Sequence, residues 1–202
     1  MNNFSRAGIL FVISAPSGTG KSTLCDNLKK TLDFVFSVSC TTRSPREGEL
    51  EGEDYFYLSK EEFKKRLDED DFLEYACVHD HYYGTPKRQV IEQLEQGTDV
   101  LLDIDVKGAQ ALRQCKDSFV QNSLVDVFMM PPNIQELEKR LRRRGTEAEE
   151  QIQIRLSNAQ TEMSCWNEYK YTIISASIEE DLKSFRAIME AERNLSRRMI
   201  LK

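Results

Sequence analysis

Lys21 and Ser22 follow two glycines, Gly18 and Gly20, just past an apolar run from Ile9 to Ile13. An ammonium and a hydroxyl beside glycine-rich backbone are the chemical means of holding a polyphosphate. In Ser14-Ala15-Pro16-Ser17-Gly18-Thr19-Gly20-Lys21-Ser22-Thr23-Leu24 the glycines let the chain curl so that successive N–H groups point inward. A helix starting near Lys21 adds the positive end of its dipole. Lys21 is expected to reach the β- and γ-phosphates and the Ser22 hydroxyl to ligate Mg²⁺. The strict pattern opens on glycine where this chain has Ala15, a position that needs only a small residue if its backbone is unstrained. Ala15 through Thr23 is therefore read as the seat of a nucleoside triphosphate.

Two further groups suit the same chemistry. Asp99 to Asp105 is an apolar strand ending in two carboxylates, and residues at i and i+2 on a strand share a face, so Asp103 and Asp105 are expected to look toward one site. An acidic strand end is what completes a P-loop metal site; a helix-capping aspartate is the plainer alternative. Arg43 and Arg46 lie in a loop-like segment with Tyr55 and Tyr83 available, and guanidinium forks with phenol hydroxyls suit a phosphate monoester. A phosphate acceptor is already an anionic nucleophile and needs no strong base, which fits a chain with only two histidines, His79 and His81, read as loop residues. The remaining difficulty is repulsion between two polyanions, relieved by Arg, Lys and Mg²⁺. Arg140, Arg144 and Arg155 fall on a helical pair expected to close over the triphosphate as a lid. Arg142 and Arg143 fit a solvated helix face equally well.

These groups must be carried by alternating strands and helices. Helices are expected over Ser22–Thr31, Lys60–Asp68, Lys87–Glu95, Gly108–Cys115 and Ile134–Arg144. A further helix reaches Met163 from a capping box of Thr146 and Glu149, and a closing helix spans Ile178–Ile200. Strands are expected at the apolar run before the P-loop and at Phe34–Val38, Phe72–Val78, Asp99–Asp105, Leu124–Met130 and Tyr171–Ser175. This alternation gives a parallel sheet with right-handed crossovers and ligands at its carboxyl ends. Between Ser39 and Tyr83 the composition turns polar and aromatic, the mark of a small mixed insertion standing off the main sheet.

The chain of 202 residues is long enough for a real core, and 40% apolar with 31% charged residues is ordinary for a soluble enzyme. A net charge of −6 argues against a nucleic-acid-coating surface. No apolar run approaches membrane-spanning length and the N-terminus lacks a signal-peptide core, so a cytoplasmic location is expected. Five scattered cysteines, without metal-ligand spacing, read as reduced thiols.

Five stretches in order, the P-loop segment, Thr41-Thr42-Arg43-Ser44-Pro45-Arg46-Glu47-Gly48-Glu49, Tyr82-Tyr83-Gly84-Thr85, Leu102-Asp103-Ile104-Asp105 and Arg140-Leu141-Arg142-Arg143-Arg144-Gly145-Thr146, resemble guanylate kinase over nearly the whole chain. The resemblance implies an α/β P-loop core with a nucleoside-monophosphate-binding insertion and a helical lid. Its divisions would be core at 1–38, insertion at 39–88, core at 89–130, lid and flanking helices at 131–164 and core again at 165–202. It implies Mg²⁺-dependent transfer of the ATP γ-phosphoryl group to GMP, with dGMP as a second acceptor, by a monomer or small homo-oligomer. Hinge closure of insertion and lid around both nucleotides would exclude water.

On that resemblance Arg43, Arg46, Tyr55 and Tyr83 hold the acceptor phosphate, and Ser39, Glu74 and Thr85 read guanine. Glu49 and Asp105 support that site, Asp103 joins Ser22 at the metal, and Lys21, Arg43, Arg140, Arg144 and Arg155 are catalytic. The guanine assignment has its own physics, since N1–H and the 2-amino group are adjacent donors that one carboxylate accepts together. Adenine would leave that carboxylate unpaired. Cys40 stands where the family often has a small residue. Ser175-Ala176 replaces a usual Asn-Asp pair, so contacts to the donor base are not implied. Two alternatives share the fold: a kinase of another phosphorylated acceptor such as ribose 1,5-bisphosphate, and a non-catalytic guanylate-kinase-like module binding a protein partner.

Overall fold

The computed structural model describes residues 4–31, 33–78, 80–143 and 148–201. Strand β1 (Phe4–Arg6) leads into β2 (Leu10–Ser14), the P-loop and helix α1 (Lys21–Lys29). Strands β3 (Val35–Phe36), β4 (Ser39–Thr41) and β5 (Tyr55–Tyr57) follow, then α2 (Lys60–Asp68) and a hairpin of β6 (Phe72–Val78) and β7 (His81–Pro86). Helix α3 (Lys87–Glu95) returns the chain to β8 (Val100–Asp103), α4 (Val106–Arg113), α5 (Ser118–Ser123) and β9 (Leu124–Met130). The last stretch holds α6 (Ile134–Arg143), α7 (Glu149–Met163), β10 (Tyr171–Ile174), α8 (Ile178–Arg193) and β11 (Met199–Leu201).

β2 is buried at all five positions, as a strand covered on both faces must be. It lies at the centre of a parallel sheet of order β10-β9-β2-β8-β3. Because side chains alternate along a strand, Phe11 and Ile13 pack with Leu24 and Leu28 of α1 and Phe185 of α8 on one face. Leu10 and Val12 pack on the other with Val90 and Leu94 of α3 and Leu112 of α4. A second sheet, β5-β4-β7-β6, covers α2 through Phe63, whose ring stacks on Phe72 at 4.4 Å and on Tyr82 at 5.3 Å. Cys40 is buried in this small core, so its thiol fills space beside Ser39. Helices α6 and α7 form a third packed unit through Leu137, Leu141, Ile152, Leu156 and Ala159. All five cysteines are free thiols.

Three local expectations are corrected. The closing helix stops at Arg193 instead of Ile200, and Met199–Leu201 pairs antiparallel with β1. The helical spacing does run on, but a strand pairing with the opposite chain end is invisible to local pattern. Arg193 and Arg6 both bond the side chain of Asp99, at 2.7 and 2.5 Å, with the Ile9 N–H at 2.9 Å, so one buried carboxylate gathers both ends. Secondly, α7 is entered at Ala148, which makes Glu149 its first residue and not the third of a capping box; its carboxylate instead pairs with Arg142 of α6. Thr146, Arg144 and His79 lie outside the described residues. Thirdly, β8 ends at Asp103, and Asp105 caps α4, its carboxylate accepting the Gly108 N–H at 2.8 Å.

Candidate functional site

The turn after β2 forms where the sequence places its glycines. Gly18 (φ 91°) and Gly20 (φ 111°) both hold the left-handed backbone that a side chain resists, and Gly20 is the residue from which α1 starts. Ala15 carries no such strain, so its methyl in place of hydrogen is tolerated. Parallel pairing sets Ile13 beside Asp103, which brings the acidic end of β8 to the mouth of the P-loop. There Lys21 Nζ lies 2.5 Å from the Asp103 carboxylate and donates to the Ile104 carbonyl at 3.0 Å. Burial pulls the lysine's pKa down, yet the charge and hydrogen bond of Asp103, with smaller help from Cys25 and Asp105, leave it above its ordinary value. Lys21 is therefore a permanent cation, held by groups that a polyphosphate would displace.

A cavity of about 430 Å³ opens between this turn and the second sheet, and Ser17, Lys21, Ser22, Ser39, Arg46, Tyr55, Glu74, Tyr83, Asp103 and Asp105 all face it. Glu74 is 6% exposed, and its partner explains how a carboxylate survives there. The β6–β7 register puts Thr85 opposite, and its hydroxyl donates to Glu74 Oε1 at 2.6 Å. Burial pushes the Glu74 carboxyl up to about 7, with Asp105 adding to the rise and Thr85 resisting it. The other oxygen needs room that α4 provides through Gly108: a β-carbon there would stand 2.7 Å from Glu74 Oε2. Asp105 thus faces the cavity and caps the helix at once, combining both readings of the acidic pair.

Arg43 and Glu49 organise the side of the cavity that carries Arg46, Tyr55 and Tyr83 from behind its lining. Glu49 accepts from Arg43 Nη2 at 2.9 Å, the Arg46 N–H at 2.8 Å and the Tyr57 hydroxyl at 2.8 Å. The Arg43 bond above all, against an opposing cost of burial, holds the Glu49 carboxyl down at about 2. Arg43 stands 5.4 Å from the centre of the Tyr55 ring, which meets Tyr83 edge to face at 5.9 Å. Glu49 so fixes two arginine-bearing positions. Tyr57 was not singled out in the sequence; its i+2 spacing from Tyr55 on one strand was the available signal.

On the outer side of the P-loop a second hollow, of about 660 Å³, is bounded by Gly18, Gly20, Thr23, Lys139, Arg140 and Arg143. Arg140 Nη1 donates to the Thr19 carbonyl at 2.9 Å and lies 3.1 Å from Ser175 Oγ, while its Nε donates to Glu136 at 3.1 Å. Ser175 is buried and Asp181 is its further partner at 3.1 Å; the Ala176 N–H donates to the same carboxylate. The pair that departs from the resemblance therefore braces the P-loop and α8. Arg142 bridges Glu138 of α6 and Glu149 of α7 at the surface. Arg155 is half-buried on α7. Gly108 and Glu162, the latter facing the same cavity as Lys21, were missed; neither has a sequence neighbour that marks it.

Comparison with known proteins returns one consistent result. A family model described as guanylate kinase matches residues 8–192. The chain is 44% identical over 186 residues to a guanylate kinase of Clostridium tetani, covering 92% of this chain and 87% of the relative. It is 44% identical over 192 residues to one of Caldanaerobacter subterraneus, covering 95% and 91%. The crystal structure of guanylate kinase from Anaplasma phagocytophilum superposes with a TM-score of 0.79 at 31% identity, covering 98% of this chain and 92% of that one.

Proposed function

The chain belongs to the guanylate kinase family, and from that premise we propose that it transfers the γ-phosphoryl group of ATP to GMP, giving ADP and GDP, with the residues gathered around the cavity in the following roles. The observation that carries the reading is that Glu74, a buried carboxylate with one oxygen free of Thr85, faces the same cavity as Lys21. Guanine N1–H and its 2-amino group donate to that carboxylate, with Ser39 alongside and Thr85 holding its orientation. Arg43, Arg46, Tyr55 and Tyr83 take the acceptor phosphate, and Glu49 and Asp105 keep their supports in place.

The acceptor oxygen attacks the γ-phosphorus in line while the bond from that phosphorus to the bridging oxygen of ADP breaks. No proton need be removed from an ionised phosphate. Lys21, moving from Asp103 to the β- and γ-oxygens, the inward N–H groups of residues 15–23, and Arg140 and Arg155 from the lid hold the charge spread over the transferring group. Arg144 belongs to this set on sequence grounds alone. Ser22 and Asp103 offer a hydroxyl and a carboxylate at one cavity mouth, hard oxygens of the kind Mg²⁺ takes with phosphates and water. When bound, Mg²⁺ would neutralise charge on the β- and γ-phosphates. Residues 39–88 act as the acceptor unit and 131–164 as the lid, against a core of 1–38, 89–130 and 165–202. Among the described residues no helix is long and apolar enough to cross a membrane.

The test is ADP release with ATP, Mg²⁺ and a panel of GMP, dGMP, AMP, UMP, CMP, dTMP and ribose 1,5-bisphosphate. Turnover confined to GMP and dGMP is expected. Turnover of ribose 1,5-bisphosphate alone would overturn the base-reading role of Glu74. Silence on all acceptors while ATP still binds would favour the non-catalytic binding module.

A further inference from the structure

Residues 43–49 carry both arginines proposed for the acceptor phosphate, and burial does little to hold them, since Ser44 to Gly48 are all exposed. Polar bonds fix the segment instead. At its start the Arg43 N–H donates to Thr41 Oγ1 of β4 at 3.1 Å. Further on a turn closes, where the Glu49 N–H donates to the Arg46 carbonyl at 3.1 Å and Gly48 takes a φ of 87°. The Glu49 side chain closes the segment again, Oε1 accepting from Arg43 and Oε2 from the Arg46 N–H. The turn and the Glu49 bonds give the segment its shape. They do not by themselves set where its far end stands on the small sheet.

Tyr57 supplies that tether. Both of its polar groups reach back to this part of the chain: the hydroxyl donates to Glu49 Oε2 at 2.8 Å and the N–H to Glu51 Oε2 at 3.0 Å. The parallel register of β4 and β5 sets Tyr57 beside Thr41, where the segment begins. Side chains alternate along β5, so Tyr55 and Tyr57 share a face while Phe56 packs against the small core. Tyr55 lines the cavity; Tyr57, its ring centre 6.0 Å away, does not. Burial and the Glu49 carboxylate push the Tyr57 phenol up to about 12, so it stays a donor at neutral pH. We infer that Tyr57 is a positioning residue for the acceptor phosphate: its hydroxyl seats Glu49 on β5 and, through Glu49, sets where Arg43 and Arg46 stand. The inference rests on the reading of those two arginines as the phosphate holders.

Tyr57→Phe keeps the ring and removes the hydroxyl. The measurements are kcat and the KM values for GMP and MgATP, with Tm as the check on folding. Losing a hydrogen bond to a charged acceptor is expected to raise the GMP KM about tenfold. kcat is expected to stay within about threefold, because the loss falls on ground state and transition state alike. The MgATP KM should not move, since Tyr57 belongs to the small sheet and not to the P-loop. Glu49→Ala should raise the GMP KM by more than Y57F does. Adding Y57F to E49A should then change it by less than about twofold, because the route through Glu49 is already gone.

An unchanged GMP KM in Y57F would overturn the inference. Full additivity of Y57F with E49A would overturn it too, by giving Tyr57 a route that bypasses Glu49. Equal rises in both KM values with a fall in Tm would leave Tyr57 a packing residue of the small sheet, which is a third way for the inference to fail. Y57F alone, nearly isosteric with the native side chain, keeps the test decisive if E49A is poorly folded. Silence of the wild type toward GMP would remove the acceptor reading and this inference with it; the other failures touch Tyr57 alone.

Discussion

At the residue scale the chemistry turns on carboxylates whose partners differ. Glu49 is held near 2 because Arg43 satisfies its charge, whereas Glu74 sits near 7 because burial outweighs a single threonine donor. A carboxylate that titrates near neutrality is costly when empty and valuable when two guanine donors arrive. Glu74→Gln places an amide N–H against those donors, and we expect it to lower kcat/KM for GMP by about 100-fold or more while MgATP binding is unchanged. In the wild type the KM for GMP should rise as pH falls below about 7, by about tenfold at pH 6, as the acceptor oxygen pair gains a proton. Stability runs the other way. The folded pKa of about 7 lies above the ordinary 4.5, so the folded state holds this proton more tightly. The contribution of Glu74 to stability is complete below pH 4.5 and lost as pH rises through about 7. The gain in Tm of Glu74→Gln over wild type should accordingly appear at pH 8 and vanish toward pH 4.5; a constant difference would contradict the burial argument.

At the scale of elements, the proposed base-reading pocket is an agreement between a hairpin and a helix. β6 and β7 set Glu74 against Thr85, and α4 approaches closely enough that only hydrogen fits at position 108. Gly108→Ala separates recognition from stability. Alanine favours the helix by about 1 kcal/mol, and what its methyl strikes is the end of a side chain and not backbone. The fold should hold its Tm, while displacement of Glu74 raises the GMP KM by about tenfold and leaves the ATP KM alone. Equal damage to both constants would place the fault in the P-loop side of α4, whose cap Asp105 also accepts from Ser14 Oγ through its carbonyl.

At the scale of the whole molecule, the cavity is bounded by three separately packed units: the parallel core, the small sheet with α2, and the α6–α7 pair. Each keeps its own apolar cluster, so each is able to move as a body, and two polyanions give them a reason to do so. Small-angle scattering should show a smaller radius of gyration with GMP and a non-hydrolysable ATP analogue bound together than with either alone. Identical profiles would remove closure from the mechanism while leaving the residue roles intact. Asp99, gathering Arg6 and Arg193, keeps the chain ends tied to the central sheet during any such motion.

The sequence by itself determined the phosphate turn, the acidic strand end and the fold class. Those signals are local: glycine for left-handed backbone, Lys-Ser at a helix start, continuous apolar runs for covered strands. It also named the residues proposed for the acceptor site, because the resemblance supplied what spacing alone does not. Tertiary structure decided which of them face the cavity and which work from behind: Thr85 meets Glu74 only through the pairing of β6 and β7, while Arg43 and Glu49 bond each other within one loop behind the lining. It alone decided that Met199–Leu201 pairs with Phe4–Arg6, that Gly108 adjoins Glu74, and that Glu162 faces the same cavity as Lys21. The physical reason is the same in each case. A hydrogen bond or close approach between residues far apart in sequence leaves no periodic trace in either segment.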